Sequence, residues 1–138
     1  MYPNGGYLAI HRKVGDLIDF YNIQFYNQLD HSPYDTYETL FLYSRSDHKF
    51  GSSVRELMYK GIPSKKIVIG KPATKKNLYN TGYMNPKDLN KALMKGYATF
   101  NWFGGVMIWE YYSDQEGRII EEAIGGLDIT CGILQNCH

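Results

Sequence analysis

At 138 residues the chain has the length of one compact domain and is too short for two. A formal charge of +1 argues against a nucleic-acid partner, because phosphate binding needs a concentrated basic surface. No apolar run nears the roughly 20 residues that a membrane-spanning helix requires, so no membrane partner is expected. Met1 to Gly6 lacks the basic head and apolar stretch of a secretory leader. The two cysteines, Cys131 and Cys137, leave open a small closed loop or two free thiols. Neither they nor His138 has the spacing of a zinc site, and no metal or cofactor is expected. Thirteen tyrosines admit two readings, a Tyr-rich core or a surface that is apolar and hydrogen-bonding together, as sugar-binding clefts are.

In chain order, Ile18 to Tyr26 is the first predicted strand, rich in β-branched and aromatic residues. A long connection, Asn27 to Ser52, follows. Ser53-Val54-Arg55-Glu56 then fits a capping box and opens a helix to about Lys60, which Gly61 stops. Lys66 to Gly70 is the second strand, followed by a second long connection from Lys71 to Asn85. Asn85 caps and Pro86 begins the next helix, with Leu89, Ala92, Leu93 and Met94 on one face and Gly96 as its expected end. Gly105 to Tyr112 is the third strand. Ser113 to Glu116 opens the last helix, whose buried stripe is Ile119, Ile120, Ala123 and Ile124, and Gly125-Gly126 closes it. Strand and helix alternating three times predicts an α/β chain with a parallel sheet and right-handed crossovers. Both long connections leave strand C-termini, the edge at which α/β proteins bind ligands. The second, carrying Lys75, Lys76, Tyr79 and Tyr83, suits a cleft rim.

Side-chain alternation puts Asn22, Gln24 and Tyr26 on one face of the first strand, and Tyr21, Ile23 and Phe25 on the other. A buried parallel strand is apolar on both faces, so three polar groups in register need either solvent or a ligand. On the third strand Gly105, Met107, Trp109 and Tyr111 share a face, opposite Val106, Ile108 and Glu110. By itself Trp109 reads as a core position sooner than as a binding platform.

Four segments carry a resemblance to the chitinases of glycoside hydrolase family 18. "NIQFYNQ" at Asn22 to Gln28 resembles their sixth-strand motif, "GIPSKKIVIGKPATK" at Gly61 to Lys75 the seventh-strand segment, and "GGVMIWEYYSD" at Gly104 to Asp114 the eighth strand. "MYPNGG" at the start is similar to the end of the fifth strand. The resemblance implies a partial (β/α)8 TIM barrel, roughly strands 6 to 8 with their helices, so that residues 1–138 are the C-terminal portion of a family 18 catalytic domain. It further implies hydrolysis of β-1,4-linked N-acetylglucosamine polymers by substrate-assisted catalysis, in which the acetamido carbonyl of the sugar attacks its own anomeric carbon. On that analogy the Tyr26 hydroxyl donates to the acetamido oxygen and holds it in attack geometry. Gln24 and Asn27 hydrogen-bond the same region, and Trp109 floors the pocket. The partners implied are chitin or N-acetylglucosamine oligosaccharides, and the location implied is extracellular.

The family's proton donor ends an Asp-x-x-Asp-x-Asp-x-Glu motif, and that pattern does not occur in this sequence. Alternation points Glu110 away from the Trp109 face. Asp30, Asp35 and Glu38 read as solvated loop charges rather than a tuned acid. Without a placed acid, departure of the leaving group forfeits a factor of roughly 10² to 10⁴. The expectation is therefore a hydrolase part that needs a missing N-terminal half or self-association. The rival reading is a non-catalytic chitin- or N-acetylglucosamine-binding protein.

Overall fold

The computed structural model describes residues 6–28, 32–45 and 51–127. Most of Met1 to Gly6, together with Asp30, Cys131, Cys137 and His138, lies outside them. The described residues form a three-stranded parallel sheet in sequential order, β1 (Tyr21–Gln24), β2 (Ile67–Pro72) and β3 (Val106–Trp109). Four α-helices accompany it: α1 (Gly6–Val14), α2 (Val54–Tyr59), α3 (Pro86–Phe100) and α4 (Arg118–Ile124). The expected α/β class and the parallel sheet of a partial barrel are what is observed. No helix among the described residues is long and apolar enough to cross a membrane.

The two outer strands are shorter than their apolar runs, because a run predicts extended backbone whereas a strand needs a neighbour to bond. Residues 15–17 form a 3-10 turn ahead of β1, and the Lys66 ammonium caps it by donating to the carbonyls of Gly15 and Ile18, each at 2.6 Å. Central β2 has partners on both sides and instead ends two residues later than expected. After Trp109 the chain enters another 3-10 turn, Tyr111–Ser113.

The register fixes which residues share a face. Tyr21 and Ile23 lie beside Ile67 and Ile69, and Ile69 and Lys71 beside Val106 and Ile108. This face packs on the helices, and its apolar members join the core with Leu40, Phe41, Leu89, Leu93 and Trp102. Trp102 is 1 % exposed and donates its indole N–H to the Ile67 carbonyl at 2.8 Å, so a large apolar ring is buried with its polar atom satisfied. Phe41 meets it edge-on at 5.6 Å and stacks on Tyr37 and Phe100.

Phe41 reaches that position through a π-helical turn, Glu38–Leu42, inside the first long connection. Sequence periodicity does not reveal a five-residue turn of this kind. Gly96 accommodates the ring, since any Cβ there would fall inside it. The helix expected to stop at Gly96 therefore continues to Phe100 and ends at Asn101, whose φ of 49° supplies the left-handed stop. Its start is as expected, with the Asn85 side chain accepting from the Asp88 amide and Pro86 in the first turn.

The capping box of α2 is complete. Ser53 Oγ accepts from the Glu56 amide at 3.3 Å while Glu56 Oε2 accepts from the Ser53 amide at 2.9 Å. The same carboxylate accepts from the Ser44 amide at 3.1 Å, which ties the preceding loop to the helix start. These amide bonds hold the Glu56 carboxyl below its ordinary range against the opposing effect of burial. Helix α4 begins later than expected. Gly117 precedes it in the left-handed region, and the Asp114 carboxylate reaches forward to accept from the amides of Ile119 and Ile120 at 2.9 and 3.0 Å.

Candidate functional site

The face of the sheet turned away from the helices carries Asn22 and Gln24 from β1, Val68, Gly70 and Pro72 from β2, and Met107 and Trp109 from β3. Gln24, Gly70 and Met107 stand in one row, with Pro72 and Trp109 in the row beyond it. Gly70 is needed there, since a Cβ would approach the Ile23 carbonyl oxygen at 2.7 Å and Met107 Cε at 2.8 Å. The Met107 tip therefore occupies the space that a side chain at position 70 would fill. Trp109 is 50 % exposed, although its strand neighbours Val106 and Ile108 pack on the core. A large, half-exposed indole at the C-terminal end of a parallel strand has the position and shape of a stacking surface for a flat ligand.

Tyr26 lies just past β1 and continues the file of Asn22 and Gln24. It is only 4 % exposed but does not belong to the core cluster that takes in neighbouring Phe25, so the two rings lie on opposite sides of the chain. Its backbone is held from three directions. The Phe25 amide donates to the Gly70 carbonyl at 3.1 Å, the Asn27 amide donates to the Thr81 carbonyl at 2.8 Å, and the Gln24 and Gln28 side-chain amides both donate to the Tyr26 carbonyl at 3.3 Å. Gly82, at φ 107°, lies directly against its Cα. The Tyr26 phenol is pushed above its ordinary pKa, first by burial and then by the negative charge of Glu110.

Glu110 lies beyond the alternation from which its placement was expected. Alternation holds only within the paired strand, and β3 ends at Trp109, which a cis peptide joins to Glu110. Glu110 Oε1 accepts from Asn77 Nδ2 at 3.4 Å, and Asn77 also donates to Ser113 Oγ at 3.0 Å. Asn77 Oδ1 in turn accepts from the backbone and hydroxyl of Thr74. The connection after β2 and the chain after β3 are thus joined through one side chain, and a carboxylate is held at the rim within electrostatic reach of Tyr26. Sequence reasoning missed this pairing because it depends on two loops that are 33 residues apart.

Asn27 adopts φ 55°, and its Oδ1 accepts from the amides of Tyr79 and Asn80 at 2.9 and 3.2 Å. It anchors the tip of the second connection, where Tyr79 is 95 % exposed. The register places Gln24 and Trp109 on one face of the sheet, Tyr26 follows two residues after Gln24 on the side of the chain away from the core, and Asn27 secures the loop beside it. Lys75 and Lys76 are exposed on the rim, and Lys75 lies over the Tyr83 ring at 5.7 Å. Asp35 and Glu38 are exposed loop charges. Among the described residues no group of His, Cys, Asp and Glu is arranged to hold a metal ion.

No protein-family model matches this chain, and no curated protein matches it. Among solved structures it is similar to a fungal endo-β-N-acetylglucosaminidase from glycosyl hydrolase family 18, with a TM-score of 0.57 and 23 % identity. The likeness covers 91 % of this chain and 38 % of that one. The chain therefore has an α/β fold like part of that structure's and spans well under half of its length.

Proposed function

We propose that residues 1–138 form the C-terminal portion of a chitinase-like glycoside hydrolase domain that binds N-acetylglucosamine-containing glycans at the sheet edge bearing Gln24, Tyr26 and Trp109. The observation that supports this reading is the common face of Gln24 and Trp109 at the C-terminal ends of parallel strands, with Tyr26 two residues after Gln24 and outside the core cluster. The likeness to a glycosidase barrel supports the reading at the level of fold.

In this reading a sugar ring lies on Trp109, and the Tyr26 hydroxyl, which has no hydrogen-bond partner among the described residues, donates to the acetamido carbonyl. A phenol kept protonated by its surroundings is a dependable donor at neutral pH. Gln24 has its Nε2 turned onto the Tyr26 carbonyl, which leaves its Oε1 to accept from a sugar hydroxyl. Asn27 contributes its Nδ2, its oxygen being taken by the loop. Holding the acetamido group against the anomeric carbon is the step these residues serve. Protonation of the leaving oxygen falls to a group outside this constellation. Glu110 is engaged with Asn77, and Asp35 and Glu38 sit out in solvent.

Titration with an N-acetylglucosamine tetramer, followed by tryptophan fluorescence and calorimetry, tests the reading. Trp102 is buried, so quenching should come from Trp109 and vanish in Trp109→Phe. Tyr26→Phe should weaken binding by about ten-fold, the size of one hydrogen bond. Release of reducing ends distinguishes a hydrolase from the second reading, a non-catalytic binder, in which the half-exposed Trp109 indole holds a sugar ring without cleavage. A flat titration at millimolar tetramer would refute both.

A further inference from the structure

Lys71 stands out among the described residues as a lysine with no exposed surface, set in the apolar face of the central strand. It lies in register with Ile108 and on the side of Ile67 and Ile69, where a hydrocarbon chain would fill the space without the cost of burying an amine. Its Nζ donates to the Phe25 carbonyl at 3.1 Å and to the Tyr34 carbonyl at 2.6 Å. Phe25 immediately precedes Tyr26, and its amide is already held by Gly70, the residue before Lys71. Both backbone polar groups of Phe25 are thus tied to consecutive residues of β2.

Tyr34, the other acceptor, belongs to the returning arm of the long connection after β1 and sits at φ 52°, a conformation a tyrosine seldom adopts without support. Its ring meets Phe25 edge-on at 5.2 Å, and its hydroxyl bonds Ser52 Oγ at 2.6 Å. One ammonium group therefore fastens two chain segments at the point from which Tyr26 projects to the opposite face.

We propose that Lys71 is a positioning residue for Tyr26, fixing the Phe25–Tyr26 peptide and the Tyr34 arm together so that the phenol is presented to ligand in one orientation. The consequence for glycan binding rests on the function proposed above, whereas the clamp itself does not. Burial lowers the amine to about 7, and the charge of Asp35, on the same arm as Tyr34, opposes that fall. Glu110, beyond β3, acts on Tyr26 instead. Near neutral pH the clamp therefore passes from charge-assisted bonds to the weaker bonds of a neutral amine.

Nitrogen-15 shifts in the ligand-free chain test the clamp directly. The amide nitrogens of Tyr26 and Asp35 each adjoin a carbonyl that Lys71 holds. Between about pH 5 and about pH 9 they should move together with one midpoint near neutrality, matching that of the Lys71 Cε signal. In Lys71→Met both should stay still, which separates the lysine from the chain's histidines. With the N-acetylglucosamine tetramer as probe, Lys71→Met should weaken binding about ten-fold, and adding it to Tyr26→Phe should produce no further loss. Nitrogen shifts that are absent, or that follow a midpoint other than that of Lys71 Cε, would overturn the proposal even if Lys71→Met failed to fold, and so would losses that multiply in the double variant. Shifts that behave as expected in a chain that ignores the tetramer would leave the clamp standing and refute the glycan reading.

Discussion

Replacing Lys71 by Met has a consequence for stability that can be worked out from the buried amine. The folded-state pKa near 7 lies below the unfolded value of 10.5, so between these two the unfolded chain binds one proton more than the folded chain. Stability therefore rises with pH across that window, by about 1.4 kcal/mol per pH unit, and the full span is on the order of 4 to 5 kcal/mol. Below pH 7 the penalty is complete and constant. Met removes the penalty but leaves the carbonyls of Phe25 and Tyr34 unpaired, at about 1 to 3 kcal/mol each. The two variants should thus be of similar stability near neutral pH while differing in slope. Urea melts at several pH values between about 7 and about 9.5 measure this. The upper limit avoids the Tyr26 phenol, whose raised pKa contributes stability below its unfolded value near 10 that is lost above it. A wild-type stability that stays flat across the window, or an equal slope in Lys71→Met, would refute the reasoning.

Three further outcomes are expected. Gly82→Ala places a Cβ against the Tyr26 backbone at φ 107°, and should cost about 1 to 3 kcal/mol in a thermal or urea melt while weakening tetramer binding; an unchanged melt would contradict the close approach. Glu110→Gln removes a charge that disfavours the Tyr26 phenolate, so the ultraviolet ionisation of that phenol, isolated by difference from Tyr26→Phe, should move down toward its ordinary value without reaching it, because burial remains. Asn27→Ala takes the acceptor from the amides of Tyr79 and Asn80, whose hydrogen exchange should quicken by roughly ten-fold, equivalent to about 1.4 kcal/mol, while the Trp102 environment stays fixed.

The parts of the fold that depend on neighbours in sequence were legible. The Ser53/Glu56 box, the Asn85-Pro86 start and the alternation that separates Gln24 from Ile23 are local, and each is present as read. What failed required partners remote in sequence. Gly96 reads as a stop until Phe41 is seen against it, and Asp114 reads as part of a helix until its carboxylate is found capping one from outside. Helix α1 has no Ser, Thr, Asp or Asn cap and no Pro to mark its start, and it buries no residue fully, so no local signal singled it out. In the site, alternation placed Trp109 but misplaced Glu110 one residue later, since the pleat governs only paired residues. Lys71 was read as the first residue of a loop. Its burial follows from a carbonyl 46 residues away and another 37 residues away, neither visible in any local pattern.

The Asn77 side chain joins segments that would otherwise move separately. Any inward swing of the rim after β2 must either carry Glu110 and Ser113 with it or give up two hydrogen bonds, each worth about 1 kcal/mol. Two loops that follow different strands thus behave as one mechanical unit, and Asn77→Ser should uncouple them, quickening amide exchange at Ser113 and Asp114 by several-fold while the Ser53 cap stays as it is.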